Sequence, residues 1–292
     1  VTPIPILPGL GAIADRYDGF ILDLWGLIHD GHTAYPGAAE SLARLQAMGK
    51  RVVMLSNSPR RAEALKVMME SLGIGRGHYT EVMSSGEAVF QEVLSRADPW
   101  FAALGQRCLL IGVKRDNHLL EGLGLTMVEQ PEEAEFIVNC GPEAPGATLE
   151  QFLPLLDRCL AQKLPMICAN PDLVVMVDGL PVLCAGALAA YYEEKGGDVR
   201  YRGKPDPAIY QTCFSLLKIA DKNRIVGVGD AFHTDMAGAK RAGIDGLFCS
   251  GGIHADDLAT RYGQPPDAAR LQSLAESYPG IRPVAAIGGF GW

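Results

Sequence analysis

The sequence predicts an α/β protein organised around a largely parallel sheet, and two observations carry that expectation. Short apolar runs alternate with stretches of helical periodicity along the chain, the pattern of strands joined by crossover helices. The runs FILDL, VVMLS, RIVGVG and GLFC each pass into polar or glycine-rich residues at their C-terminal ends. In an open parallel sheet that edge is where ligands bind.

Taken in order, Phe20 to Leu24 and Arg51 to Ser56 are the first expected strands. Between them Ala39, Leu42, Leu45 and Met48 recur at spacings of three and Gly49 follows as a stop, so Gly37 to Met48 reads as a helix. A second helix is expected from about Arg61 to Leu72, closed by Gly73. A second series occupies the middle of the chain, with strands at Cys108 to Val113, Phe136 to Asn139 and Met166 to Ala169 and a helix from Leu149 to Gln162. Arg224 to Gly229 and Gly246 to Cys249 then complete the outer series. No internal repeat, low-complexity tract or charge block separates the two.

The 292 residues are 48% hydrophobic and 21% charged, a globular balance that excludes a disordered or collagen-like chain. The length suits one large domain or two ordinary ones. With 34 acidic and 26 basic side chains the net charge is −8, so there is no cationic surplus for binding nucleic acid or an anionic membrane. The seven cysteines are scattered singly, mostly in apolar runs, and read as small buried hydrophobes in a reducing compartment. Without a CxxC pair or Cys/His cluster no structural zinc site is expected. The N-terminal residues lack the basic start and apolar core of a signal peptide, and no long apolar run follows, which makes a cytoplasmic protein the expectation.

The residues at the strand ends carry the functional signal. They are Asp23 in Asp23-Leu24-Trp25-Gly26, Ser56 in Ser56-Asn57-Ser58-Pro59, and Asp230 in Gly229-Asp230-Ala231-Phe232-His233-Thr234-Asp235. Gly203-Lys204-Pro205-Asp206-Pro207 precedes the last of these. Singly, an aspartate after a strand is usually a turn former or a helix cap.

In this order the four segments resemble the motifs of the haloacid dehalogenase superfamily of phosphotransferases. Asp23 matches the nucleophile motif, Ser56 the second, Lys204 the third, and Gly229-Asp230 with Asp235 the fourth. Asp23 to Gly31 and Ala169-Asn170-Pro171-Asp172 are similar to the class IIA branch, which includes NagD-like and 4-nitrophenylphosphatase-like enzymes. The resemblance implies a Rossmann-like core at residues 1–82 and 181–292, with a C2-type α/β cap domain at about 83–180.

It also implies a phosphatase that hydrolyses a small phosphorylated metabolite and requires Mg²⁺. An attacking carboxylate is repelled by phosphate oxygens unless a divalent cation intervenes. Asp23 as nucleophile would form an aspartyl-phosphate and split one displacement into two. Mg²⁺ prefers hard oxygen ligands, which the resemblance assigns to Asp23, the Trp25 carbonyl and Asp230. Lys204, the Ser56 hydroxyl and the Asn57 amide would hold the transferring oxygens, and Asp235 would orient the ligands.

Trp25 departs from the family pattern, which usually has a second aspartate there to protonate the leaving group and activate water. Indole has no titratable group for either task. General acid–base help is worth about 100- to 10,000-fold, so three readings stand: His29 or Asp30 substitutes, the enzyme is slow or specialised, or the protein is a catalytically weak or inactive binder of phosphorylated ligands. His29 also has a plain role available, as a hydrogen-bonding residue of the hairpin.

Other signals carry less. Gly9-Leu10-Gly11-Ala12-Ile13-Ala14 fits a loose dinucleotide pattern, but prolines interrupt the strand it needs. Arg60 and Arg61 read as solvated charges, Asp206 as a helix cap, and Asn170-Pro171-Asp172 equally as an Asn-Pro turn or a loop facing the site. Trp100-Phe101 and Phe290-Gly291-Trp292 suit a homodimer contact or, more commonly, packing in the chain's own core.

Overall fold

The computed structural model describes residues 3–113, 118–142, 144–177 and 180–292. The chain forms two compact units. One comprises Val1–Ser56, Glu63–Met83 and Lys204–Trp292, the other Asn57–Ala62 and Ser84–Gly203.

With strands numbered in chain order, the first unit contains β1 (Gly19–Leu22), β2 (Arg51–Ser56) and β3 (Glu81–Ser84), then β11 (Ile225–Gly229), β12 (Asp245–Cys249) and β13 (Ala285–Ile287). They form one sheet in the order β13-β12-β11-β1-β2-β3. The pairs β13·β12, β12·β11, β11·β1 and β1·β2 are parallel. Every residue of β1 and β11 is buried, which is why both read as unbroken apolar runs. The chain steps outward from β1 to β3 on one side and from β11 to β13 on the other. The order therefore reverses between β1 and β11, the topological switch point at which open α/β sheets place their ligands.

The flanking helices follow the apolar spacing. Ala38–Ala47 buries Ala38, Ser41, Leu42 and Leu45 along one face, within the expected Gly37 to Met48. The helix expected from Arg61 spans Ala62–Ser71. Gly9 and Gly11 lie against Trp292 so closely that a Cβ would stand 2.7 Å from its backbone carbon and from its indole nitrogen, respectively. The GxGxxA segment is thus the packing surface for the C-terminal tryptophan.

The second unit contains β4 (Arg107–Ile111), β5 (Thr126–Val128), β6 (Phe136–Asn139), β7 (Met166–Cys168) and β10 (Val199–Tyr201), in a parallel sheet of order β10-β7-β6-β4-β5. A separate antiparallel pair joins β8 (Val174–Val177) to β9 (Leu180–Leu183). Residues 181–203, assigned from sequence to the core domain, belong here. Their helix Ala185–Glu194 buries Ala185, Leu188, Ala189 and Tyr192 in one cluster with Ile137, Leu156 and Met166, and β10 extends the sheet beside β7.

The reading of Arg61 as solvated is also corrected. Its side chain is 28% exposed, pairs with Glu87 at 2.7 Å and lies over the Phe90 ring at 3.3 Å. Residues 57–62 form a collar against the helix Ser85–Ser95, where a Cβ on Gly86 would stand 1.9 Å from the Pro59 carbonyl oxygen. Gly86→Ala is expected to lower stability by about 2 kcal/mol or more, read as a shift of the denaturant midpoint. Trp100 packs within the same unit, its indole nitrogen donating to Asp198 at 2.6 Å, and Phe101 is fully buried.

Candidate active site

β1 and β11 run in register, with Leu22 opposite Val228. The Asp23 N–H donates to the Val228 carbonyl at 2.9 Å, so the ladder continues one residue past the strand. β1 ends at Leu22 and β11 at Gly229, which places Asp23 and Asp230 at adjacent strand ends. β2, on the other side of β1, ends at Ser56. All three residues are buried.

Lys204 enters this edge from the start of the C-terminal segment. Its Nζ donates to Asp23 Oδ1 at 2.5 Å and to Asp235 Oδ1 at 2.7 Å, and it is only 3% exposed. Asp235 sits in a wide helical turn, Phe232–Met236, in which the Met236 N–H reaches the Ala231 carbonyl at 3.1 Å. Its second oxygen accepts from the Ala231 N–H at 3.1 Å. Gly229 accommodates it, because a Cβ there would lie 2.1 Å from the Asp235 carboxyl carbon. Such wide turns concentrate at functional sites.

The oxygens of Asp23, Asp230 and Asp235 lie within 4.8 Å of one another. Burial pushes the Asp23 carboxyl up to about 7, opposed by Lys204 and reinforced by Asp235. Asp230 is raised well above the usual carboxylate range, by burial first and then by Asp23 and Asp235. Three buried acids against one lysine leave an excess of negative charge in a place where it is poorly solvated. A hard divalent cation relieves that excess, and carboxylate oxygens are the donors it prefers. The residues present fit such an ion.

The backbone beyond Asp23 is held against this cluster. Gly26 turns with φ +81°, and a Cβ there would meet Asp230 Oδ2 at 2.1 Å. We expect Gly26→Ala to displace the Asp230 carboxylate and lower kcat/KM by about 100-fold or more, measured beside a melting curve to separate it from unfolding.

The Trp25 indole lies edge-on to His29 at 5.6 Å, and its ring fills the space where Gly31 would carry a side chain. The His29 Nδ1 accepts from the Gly31 N–H at 3.0 Å. Asp30 Oδ1 accepts from the His32 and Thr33 N–H groups at 2.9 and 2.7 Å. Both side chains that follow Trp25 are thus engaged in shaping the hairpin. Asp206 accepts from the Ala208 N–H at 3.0 Å, as a cap of the helix Pro207–Leu217.

Asn57 falls in the second unit, where its Nδ2 donates to Asp172 Oδ1 at 2.9 Å. Asn170 turns the chain by accepting from the Asp172 N–H. The Asn-Pro-Asp segment is therefore a turn whose aspartate is tied to the second motif. Sequence reasoning missed the groups that press on Asp230: Gly26, Gly252, and Ile253, whose N–H donates to Oδ2 at 2.7 Å. The pair Gly251-Gly252 after the GLFC run was the available sign of that close approach.

Residues 20–126 match a model described as haloacid dehalogenase-like hydrolase, and residues 201–277 a HAD-hydrolase-like model. A hydrolase of the haloacid dehalogenase-like family from Brucella suis 1330 superposes with a TM-score of 0.81 at 32% identity, over 96% of this chain and 98% of that one. The chain belongs to the haloacid dehalogenase-like family. Within it, ribonucleotide monophosphatase NagD of Escherichia coli K12 is 23% identical over 243 residues, 82% of this chain and 90% of NagD. A glycerol phosphate phosphatase from Mycobacterium tuberculosis, solved in complex with magnesium, shares the fold with a TM-score of 0.69 and 21% identity, over 95% of this chain and 76% of that one. The present family member is a hydrolase related to the class IIA phosphatases. Among its described residues no helix is long and apolar enough to cross a membrane.

Proposed function

We propose that the protein is a Mg²⁺-dependent phosphatase that hydrolyses a small phosphate monoester, such as a sugar or nucleotide phosphate, through an aspartyl-phosphate on Asp23. The observation that carries this reading is Lys204, which bridges Asp23 and Asp235 inside a buried three-carboxylate cluster at the switch point of the sheet. Mg²⁺ held by Asp23, Asp230 and the Trp25 carbonyl would offset the charge of the phosphoryl oxygens. The magnesium complex of the glycerol phosphate phosphatase supports the choice of ion.

Asp23 attacks phosphorus, the ester oxygen departs with the bonding pair, and water then cleaves the acyl phosphate to return Asp23 and inorganic phosphate. Lys204, the Ser56 hydroxyl and the Asn57 backbone amide neutralise charge on the transferring oxygens. Asp235 holds Lys204 in place and, through the Ala231 N–H, the start of the Asp230 loop. The second unit corresponds to the C2-type cap domain of this reading.

Trp25 gives the leaving oxygen no proton, and His29 and Asp30 are committed to the hairpin. A slow or specialised phosphatase, fastest on esters whose alcohol leaves as a stable anion, follows from this. The same observation favours the second reading, a binder that does not turn over. A panel of phosphate esters assayed for phosphate release with and without Mg²⁺ decides between them. Release that requires Mg²⁺ supports the phosphatase, whereas tight ester binding with no release supports the binder.

A further inference from the structure

The loop after β12 grips the expected metal centre from two sides. Near its start, a Cβ on Gly252 would stand 1.9 Å from Asp230 Oδ2, and the Ile253 N–H donates to that same oxygen at 2.7 Å. Near its end, the Tyr262 hydroxyl donates to the Leu27 carbonyl at 2.6 Å and accepts from the Phe290 N–H at 2.8 Å. The Tyr262 ring stacks on Tyr35, with centroids 3.7 Å apart and planes 11° from parallel.

Leu27 and Tyr35 belong to the hairpin that begins at Asp23. Its internal hydrogen bonds run from the Gly26 N–H to the His29 carbonyl, from the Ile28 and His29 N–H groups to the Leu24 carbonyl, and from the Tyr35 N–H to the Ile28 carbonyl. The Leu27 carbonyl, buried two residues past Trp25, takes its donor from Tyr262 instead. Tyr262 is itself fixed, since a Cβ on Gly251 would lie 2.5 Å from its Cα and one on Gly289 would lie 2.8 Å from its ring. The Gly263 N–H adds a bond to the Gly288 carbonyl at 2.9 Å.

We propose that Tyr262 is a positioning residue for the metal centre: its hydroxyl and its stack on Tyr35 fix the hairpin, and with it the Trp25 carbonyl, while the same loop fixes Asp230 through Ile253. This rests on the reading that Asp23, Trp25 and Asp230 hold Mg²⁺. Outer groups that orient ligands set metal affinity, because a ligand free to wander binds more weakly.

The test is Tyr262→Phe, which keeps the ring and removes both hydroxyl hydrogen bonds. Direct calorimetric titration is expected to show Mg²⁺ bound about 10-fold more weakly, with kcat at saturating Mg²⁺ changed by less than about 3-fold. Amide exchange should quicken across residues 26–35 and stay unchanged in β11 and β12. Unchanged Mg²⁺ affinity in a folded Tyr262→Phe protein overturns the proposal, whether or not exchange quickens. A wild type that binds no Mg²⁺ overturns the metal reading as well, which distinguishes the two failures. If Tyr262→Phe does not fold, Tyr35→Leu, which removes the stack and leaves the Tyr262 hydroxyl in place, takes the same measurements, and equal affinity there overturns the proposal.

Discussion

Asp23→Asn is expected to abolish phosphate release, lowering kcat by about 10,000-fold or more, the scale on which removal of a catalytic nucleophile acts. The amide is isosteric with the carboxyl but cannot attack phosphorus. The loss should not come from unfolding. Asp23 is one of three buried acids facing a single lysine, and Lys204 keeps Asp235 as a partner when Asp23 is neutralised. Removing one negative charge from a crowded, poorly solvated cluster relieves repulsion, so the variant should melt no lower than wild type in metal-free buffer. Phosphate release from the ester panel and a melting curve on the same preparation check both halves. Equal activity in the variant and wild type would sink the mechanism.

Trp25→Asp is the converse experiment, because it supplies the proton donor and acceptor that position 25 lacks. With alkyl phosphates, whose alkoxide leaves poorly, kcat should rise by up to about 100-fold, the lower end of general acid–base help. With 4-nitrophenyl phosphate, whose phenolate leaves unaided, the change should be small. The gain has a structural cost. The indole packs on His29 and fills the space over Gly31, and an aspartate leaves that space open, so stability should fall by about 1–3 kcal/mol. A folded variant slower than wild type on both esters would show that position 25 is not what limits turnover.

The parts of the molecule legible in the sequence were those with strong local causes. β2 and β6 have the expected bounds because each is an apolar run closed by a polar residue. Asp23, Ser56, Lys204 and Asp230 stood out because their order along the chain resembles the four family motifs, and the structure gathers Asp23, Lys204 and Asp230 at one sheet edge. β10 and β13 escaped notice because each is three residues long and gains its strand identity only from the sheet beside it. Arg61 was misread because a charge at a helix start looks solvated until Glu87 and Phe90, distant in sequence, are brought against it. Tyr262 was invisible for the same reason: its partners Leu27 and Phe290 are unrelated to it by any local spacing.

The split sheet also dictates an order of assembly. Lys204 and Asp23 are 181 positions apart in the chain, and one of the two strands beside β1 is β11, which follows the whole second unit in sequence. Contacts of such long range form late, because the loop they close is costly until other contacts share the expense. During synthesis, β1 leaves the ribosome with one edge exposed and waits while residues 84–203, which carry their own sheet and core, emerge first. The three-carboxylate cluster therefore forms only after β11 and the turn that follows it have emerged, and a nascent chain stalled before Gly229 carries Asp23 without Asp230 or Asp235.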